Sequence, residues 1–169
     1  VVEDSGEGRW TVQAAVDGGG RVLLKAVNAA GEPTAFDFGP PVAGSGSVEL
    51  TNDVDIRGEV VSGRRTTIRG GNVPFFGALP VRSAVKNIHF DGPRASAVFL
   101  TASSGAEISG NVIHDVVGFP WFENLRKATG VWILGLPAGG DGPVTGTVTI
   151  SGNTIADMHA EDGIGLAQV

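Results

Sequence analysis

Residues 106–116 read AEISGNVIHDV, and residues 148–158 repeat the pattern as VTISGNTIADM. The two stretches share the run Ile-Ser-Gly-Asn, followed by a second isoleucine and an aspartate at the same offsets. A pattern that recurs in this way is typical of a solenoid, in which one structural unit stacks on the next. The matched pairs are Ile108/Ile150, Ser109/Ser151, Gly110/Gly152, Asn111/Asn153, Ile113/Ile155 and Asp115/Asp157.

The isoleucines predict how the units stack. Equal steps upstream from Ile108 reach Ile88 and then Ile68. We therefore expect Ile68, Ile88, Ile108 and Ile150 to form one column of inward-pointing side chains.

A polar ladder is predicted three places after this column. An Asn or Asp at a fixed turn can bond its own backbone and the same residue of the next unit. The residues at this position are Gly71, Asp91, Asn111 and Asn153.

The composition suits strands joined by tight turns. Of the 169 residues, 27 are glycine, 41% are apolar and only 18% are charged, so we expect a folded domain with a buried core. The formal net charge of −6 argues against nucleic-acid binding, which needs a basic surface. No apolar run approaches the ~20 residues of a membrane-spanning helix. The absence of cysteine excludes disulfides and thiolate sites.

The N-terminal segment predicts one helix. Residues 11–16, TVQAAV, form it, with Thr11 as a cap and Trp10 available for packing. The run DGGG at residues 17–20 ends the helix, and residues 21–26 then predict a strand.

A second strand follows the later repeats, at residues 97–100, 131–134 and 163–166. The order Ile-Ser-Gly-Asn-x-Ile, then Gly-Ile-x-Leu, resembles the right-handed parallel β-helix repeats of the pectin-lyase-like superfamily. Residues 11–26 are similar to the capping helix and first strand of that family. The resemblance implies an all-β fold, a right-handed parallel β-helix solenoid with a short N-terminal capping helix.

One domain is expected over residues 1–169, with the cap at about 8–18 and clear coils from about 66 to 169. A single strand and no cap follow the last repeat, so the β-helix interpretation predicts an incomplete C-terminal end. Further coils or a docking partner would cover the strand edges there.

The superfamily includes polysaccharide lyases, glycoside hydrolases, epimerases and non-catalytic surface proteins, so its fold does not set one activity. The resemblance implies a carbohydrate-active enzyme of the lyase or hydrolase type, which binds an extended polysaccharide on its outer face. We expect it to be bacterial, and secreted, periplasmic or on the cell surface. The alternative is a non-catalytic cell-surface, adhesive or assembly module. The Asn-Thr-Asp and Arg-Ile-Lys runs of pectate lyases and polygalacturonases are absent.

Two insertions lengthen the last repeats, at residues 118–127 and 136–146. Both are predicted to be loops outside the coils, where solenoids carry their binding surfaces. The first contains Phe119, Trp121 and Phe122. These aromatic faces could stack on sugar rings, or fold back and cover the flank of the coils.

A compact polar patch is predicted from the side chains beside the isoleucine column. Stacking of the repeats would bring Arg69, His89 and Glu107 together on one face. A histidine beside a carboxylate could act as an acid or base near neutral pH. The simpler interpretation is that these are ordinary solvated side chains on a sheet face.

A larger charged cluster is predicted around the loop that follows the first strand of the repeat. Cations, carboxylates and imidazole together suit a site that processes a polyanion. The alternative is a solvated loop, and the recurrence of Asp115 and Asp157 favours a structural turn role for both. The members are Arg94, Glu123, Arg126, Lys127, His159, Glu161 and Asp162, with His114, Asp115 and Asp157 at the edge.

The catalytic roles would fall on five of these residues. Arg126 or Lys127 would neutralise a sugar carboxylate, and His159 would act as acid or base. Glu161 and Asp162 would bind a metal or form a carboxylate pair, and Glu161 could also pair with Asp115 or Asp157. Retaining hydrolases hold such a pair ~5–5.5 Å apart and inverting ones ~6.5–9.5 Å apart. The substrate-binding side chains would be Arg69, His89, Arg94, Glu107, His114, Trp121, Phe122 and Glu123.

No metal-ligating set is predicted. The three histidines fall in different coils without His-x-x-x-His spacing. Residues 52–55, NDVD, lack the twelve-residue pattern of a calcium loop. The motifs therefore require no cofactor, and Ca²⁺ is the ion that acidic loops of this kind could accept.

Overall fold

A computed structural model describes residues 1–40, 46–77, 82–101, 105–118, 129–134, 147–159 and 162–167. Over these residues the chain forms mostly β-strands and one short helix. The strands belong to three sheets whose neighbouring strands run parallel, apart from one short hairpin. The predicted all-β, parallel class of fold is therefore confirmed.

The helix, α1 (Arg9–Asp17), lies where the sequence predicts it and packs against the first strands. Its buried residues are Val12 and Val16, whereas Trp10 is 60% exposed. The predicted cap is wrong, because the N-cap position is Gly8 and no side chain caps the helix. The predicted end is right, since the C-cap residue is Gly18.

The strands follow one another in five rounds, and each round adds one strand to each sheet. The first round is β1 (Gly20–Leu24), β2 (Ala35–Asp37) and β3 (Val48–Glu49). The second is β4 (Val54–Gly58), β5 (Val60–Val61), β6 (Arg64–Arg69) and β7 (Phe75–Gly77). The third is β8 (Ser83–Lys86), β9 (Ile88–Asp91) and β10 (Ser96–Thr101). The fourth is β11 (Glu107–Ser109), β12 (Val112–His114) and β13 (Thr129–Leu134), and the fifth is β14 (Thr149–Ser151), β15 (Thr154–Ala156) and β16 (Asp162–Ala167).

The first sheet has the order β1-β4-β8-β11-β14, the second β2-β6-β9-β12-β15, and the third β3-β7-β10-β13-β16. The first round and the start of the second precede Thr66, where the repeat becomes visible in the sequence. Strand β5 lies off this path and forms an antiparallel hairpin with the start of β6. Its turn, Ser62-Gly63, has positive φ at both residues, as tight hairpin turns require.

The core is built from inward columns in which each side chain lies on its register partner in the next round. Full burial of one such side chain contributes ~1.5–3 kcal/mol relative to exposure, so the columns supply most of the stabilising burial. The columns are Val22–Ile56–Val85–Ile108–Ile150 in the first sheet, Phe36–Ile68–Phe90–Ile113–Ile155 in the second, and Val48–Phe75–Val98–Val131–Ile164 in the third.

The predicted isoleucine column is only partly right. Ile108 and Ile150 are register partners in the first sheet. Ile68 instead lies beside Phe90 in the second sheet, and Ile88 lies beside Thr66 there. The equal spacing was misleading because each round has three inward strands and turns of different length.

The predicted polar ladder exists between Asn111 and Asn153, at the turn from the first to the second sheet. The Asn111 amide donates to Asn153 Oδ1 (3.0 Å) and to the Val85 carbonyl (2.9 Å). Asn111 Oδ1 accepts the backbone N–H of Ile88 at 3.0 Å. The predicted members Gly71 and Asp91 lie elsewhere, because the register of the second sheet places Asp91 beside Arg69 and His114.

Apolar side chains are less covered in the fifth round. Ile150 and Ile155 are half-buried, and Ile164 and Leu166 are 45% and 58% exposed. Each has a described column neighbour on one side only. A helix with the length and apolar character needed to cross a membrane is absent from the described part of the chain.

The ladder predicts a measurable difference between its two asparagines. Asn111→Ala leaves the Val85 carbonyl and the Ile88 N–H without their side-chain partner, and each loss costs ~1–3 kcal/mol when buried. We expect the free energy of unfolding in urea to fall by roughly 2–4 kcal/mol. Asn153→Ala is the matched control and should cost less, because Asn153 is only half-buried and Asn111 keeps both other bonds. Equal losses would contradict the ladder.

Candidate functional site

Charge pairs cover the outer face of the first sheet. Nη2 of Arg57 is 2.6 Å from Asp55 Oδ2. Nζ of Lys86 donates to Glu107 Oε2, and Oγ of Ser109 donates to Glu107 Oε1 at 3.1 Å. The guanidinium of Arg57 lowers the pKa of Asp55. The hydrogen bond from Lys86, followed by that from Ser109, lowers the pKa of Glu107. The charges of Asp55, Arg57, Lys86 and Glu107 are therefore matched within this face.

A cluster of titratable groups lies on the outer face of the second sheet. Asp91 and His114 are register partners on β9 and β12, and Asp115 follows β12 directly. Nδ1 of His114 is 2.7 Å from Asp115 Oδ2, and Nε of Arg69 is 3.4 Å from Asp91 Oδ2. One nitrogen or oxygen atom from each of Asp91, His114 and Asp115 lies within 4.8 Å of the other two. We refer to these three residues as the Asp–His cluster.

A second imidazole packs beside this cluster. The ring centre of His89 is 4.7 Å from that of His114, with 35° between the planes. Nδ1 of His89 is 3.4 Å from Thr67 Oγ1, and Nε2 is buried without a hydrogen-bond partner among the described residues. Burial, and then the neighbouring His114, lower the pKa of His89. The same ring lines a cavity of about 310 Å³ with Arg64 and Arg65, which the β5–β6 hairpin supplies.

Aromatic side chains form a column on the outer face of the third sheet. The ring centres of Phe76 and Phe99 are 5.4 Å apart, and those of Phe99 and Trp132 are 5.5 Å apart. All three side chains are half-buried. Glu49 precedes them in register and Gly165 follows them. We refer to Phe76, Phe99 and Trp132 as the aromatic column.

The predicted patch of Arg69, His89 and Glu107 is divided between two faces. Arg69 and His89 project from the second sheet, whereas Glu107 projects from the first and pairs with Lys86. The prediction failed for the same reason as the isoleucine column, since it assumed one register for strands of two sheets.

The predicted loop cluster is only partly described. Arg94 is 6% exposed and thus buried, and its backbone carbonyl accepts the N–H of Gly118 at 2.8 Å. His159 is exposed and follows β15, and its N–H donates to the Val116 carbonyl at 3.1 Å, which places it beside the turn after β12. Asp162 begins β16, beside Thr129.

The remaining predicted site residues lie outside the described residues. They are Trp121, Phe122, Glu123, Arg126, Lys127 and Glu161. Their catalytic and substrate-binding roles stay predictions.

The turn role predicted for the repeated aspartates agrees with the backbone. Asp115 and Asp157 have φ of 56° and 51°, a left-handed conformation that Asp tolerates better than most residues. Only Asp115 has a histidine before it, since Ala156 stands in the place of His114. The fourth round therefore carries an imidazole and a carboxylate where the fifth carries a carboxylate alone.

Sequence reasoning missed two groupings, the aromatic column and the Asp–His cluster. Phe76, Phe99 and Trp132 occupy three different rounds, so only the register brings them together. An alignment on the inward positions of the third sheet would have found them. Asp91 with His114 required the register of the second sheet, which the misplaced Ile88 obscured.

Comparison of the chain with protein-family models, with curated proteins and with solved structures found no match.

The Lys86–Glu107 pair predicts a specific acid sensitivity. The folded pKa of Glu107 lies below its ordinary value of 4.5, so its contribution to stability is present above that pH and is lost as the pH falls through the folded pKa. We expect Glu107→Gln to flatten the loss of unfolding free energy in urea between about pH 5 and about pH 3.

Lys86→Met is the matched control for that experiment. It should flatten the curve in the same way, and the double variant should add little, because the two changes remove one interaction. Additive effects of the two substitutions would contradict the pairing.

Proposed function

We propose that this protein is a right-handed parallel β-helix of the pectin-lyase-like type, and that it binds an extended polysaccharide along its third sheet. Three observations support the β-helix: parallel sheets that gain one strand per round, an asparagine ladder at a short turn, and an N-terminal helix on the first strands. The function rests on a separate observation, the aromatic column.

The aromatic column has the features of a sugar-binding surface. Aromatic rings offer apolar faces and edges to the C–H groups of sugars, and the amphipathic Trp adds an N–H donor. Three half-buried rings in successive rounds extend along the direction in which the rounds stack. A polymer with a repeated ring can contact such a row at several points, so individually weak contacts add.

Gly165 favours access to this surface. It is the register partner of Trp132 in the fifth round and presents no side chain to it. A Cβ atom at Gly165 would stand 3.8 Å from Trp132 Cγ, within van der Waals contact. The side of Trp132 that faces the fifth round is therefore left without a column neighbour.

The aromatic column also stabilises the sheet, since aromatic cross-strand pairs contribute ~0.2–1 kcal/mol. Among the described residues, a purely structural column would be expected to continue with another side chain in place of Gly165. Three half-buried aromatic rings on the outward face of one sheet favour a binding role.

Binding without cleavage is the activity that the described residues favour. The titratable side chains of the Asp–His cluster lie on the second sheet, and the aromatic column lies on the third. A lyase or hydrolase needs its acid and base at the bound sugar. The lyase or hydrolase activity expected from the sequence depends on Arg126, Lys127, His159, Glu161 and Asp162, and it remains a prediction.

Trp132→Ala should weaken polysaccharide binding by up to about tenfold, because ring contacts are worth ~0.5–1.5 kcal/mol. The measurement is affinity electrophoresis or calorimetry with soluble neutral polymers, such as xylan, and uronate polymers, such as alginate. Trp10→Ala is the matched control, because Trp10 is an exposed tryptophan on α1. Trp132→Phe should retain most of the affinity, which separates loss of a ring from loss of folding.

Failure of every polymer in the panel to bind, or binding that is equal in wild type and Trp132→Ala, would refute the proposal. Release of unsaturated sugars or new reducing ends from a bound polymer would add the predicted enzymatic activity. Binding without products would favour the non-catalytic module.

A further inference from the structure

We propose that Asp91, His114 and Asp115 form a site for a divalent transition-metal ion on the outer face of the second sheet. This site is independent of the polysaccharide surface, which lies on the third sheet. One donor atom from each of the three residues already lies within 4.8 Å of the other two.

The donor set decides which ions fit. An imidazole nitrogen suits Zn²⁺, Co²⁺ and Ni²⁺, whereas Ca²⁺ prefers six to eight oxygen ligands. Zn²⁺ accepts both imidazole and carboxylate ligands, and three protein ligands leave its fourth position open to water. The site is therefore assigned to an ion of this class rather than to the Ca²⁺ that acidic loops could accept.

The fold places the donors before any ion binds. Asp91 and His114 are register partners on adjacent parallel strands, so their backbones are held at the ~4.8 Å strand spacing. Asp115 follows with φ of 56°, and its carboxylate already meets Nδ1 of His114. A donor set that is ordered in advance loses little conformational freedom when it binds.

Only a small adjustment is needed to admit the ion. Nδ1 of His114 and Oδ2 of Asp115 are 2.7 Å apart, a hydrogen-bond distance. Two ligands at ~2.1 Å from a tetrahedral ion stand about 3.4 Å apart. The Asp115 side chain is 52% exposed, so it can move outward by this amount without disturbing the core.

His89 holds the ligand imidazole in place. Its ring packs on that of His114 at 4.7 Å, and Thr67 Oγ1 lies 3.4 Å from its Nδ1. Groups that orient a ligand histidine contribute to metal affinity without touching the ion. Nε2 of His89 is buried and makes no hydrogen bond to the described residues, so a second imidazole nitrogen without a partner lies near His114.

Arg69 competes with the ion for Asp91. Its Nε lies 3.4 Å from Asp91 Oδ2, and its side chain is 61% exposed. The guanidinium occupies a carboxylate oxygen and repels a cation, so it opposes metal binding. If the cluster only forms ion pairs, the loss of Arg69 should not produce metal binding. If it is a metal site, the loss of Arg69 should raise its affinity for the ion.

The test is calorimetry on the purified chain, without a histidine tag, with Zn²⁺, Co²⁺ and Ca²⁺ salts as the only ligands. We expect Zn²⁺ and Co²⁺ to bind at one site and to raise the melting temperature, and Ca²⁺ to bind more weakly. His114→Ala and Asp115→Asn should each lower the Zn²⁺ affinity by tenfold or more, since loss of groups that merely orient ligands costs 10–100-fold.

Asp157→Asn is the matched control. It removes the equivalent carboxylate one round later, where Ala156 replaces the histidine, and should leave the affinity unchanged. Arg69→Gln should raise the affinity several-fold. Visible absorption of the Co²⁺ complex should be lost in His114→Ala, which reports coordination directly.

Equal Zn²⁺ affinity in wild type and His114→Ala would overturn the site, as would an equal loss in Asp157→Asn. Tighter binding of Ca²⁺ than of Zn²⁺ would overturn the assignment to a transition metal. Circular dichroism of each variant separates loss of binding from loss of folding. None of these results depends on whether the aromatic column binds sugar.

Discussion

Register between parallel strands is the constraint on which the rest of this structure depends. Each inward position is shared by every round, so Ile56, Val85 and Ile108 must each fit the space between their neighbours. A slip by one residue would turn an inward row outward, because side chains alternate along a strand. Packing in the core is close: the ring of Phe75 contacts the rings of both Phe38 and Phe90 edge-on. Burial in these columns therefore selects one register per sheet.

The repeated motif was enough to predict the class of fold but not the register. The Ile-Ser-Gly-Asn run predicted the pairing of Ile108 with Ile150 and of Asn111 with Asn153, and both are observed. Those residues stand in two rounds with closely similar sequence. Upstream, Phe90 occupies the inward position that Ile113 holds one round later, so an alignment on isoleucine alone went wrong.

The turns between the first and second sheets keep the same backbone conformation in successive rounds, although their residue types differ. Asn87 has φ of 57° and occupies the turn position where the later rounds have Gly110 and Gly152, which also have positive φ. Asn and Gly both tolerate this conformation, so the turn can be preserved without the motif. The N–H of Asn87 donates to the Ser109 carbonyl, as that of Gly110 donates to Ser151. The backbone hydrogen bonds thus show that Asn87 and Gly110 occupy equivalent turn positions, although the two residue types differ.

Strand register also decides which outward side chains meet. Each outward residue lies beside its register partner in the next round. On the first sheet Lys86 has Arg57 and Ser109 as register partners. Its side chain reaches diagonally to Glu107, with which it forms an ion pair. On the third sheet register forms the aromatic column, whose residues are far apart in the chain. Distance along the sequence therefore says little about which outward residues meet.

The fourth and fifth rounds separate the role of the scaffold from the role of the side chains. Asp115 and Asp157 share a backbone conformation, so that conformation belongs to the turn and not to a ligand. What differs is the residue before each, His114 or Ala156, and its partner on the preceding strand. His114 has Asp91 as that partner, whereas Ala156 has His114, so the three donors meet only where both the residue before the aspartate and its register partner carry donor atoms. The repeated backbone therefore supplies the same positions in both rounds, and the side chains at two of those positions decide whether donors gather there.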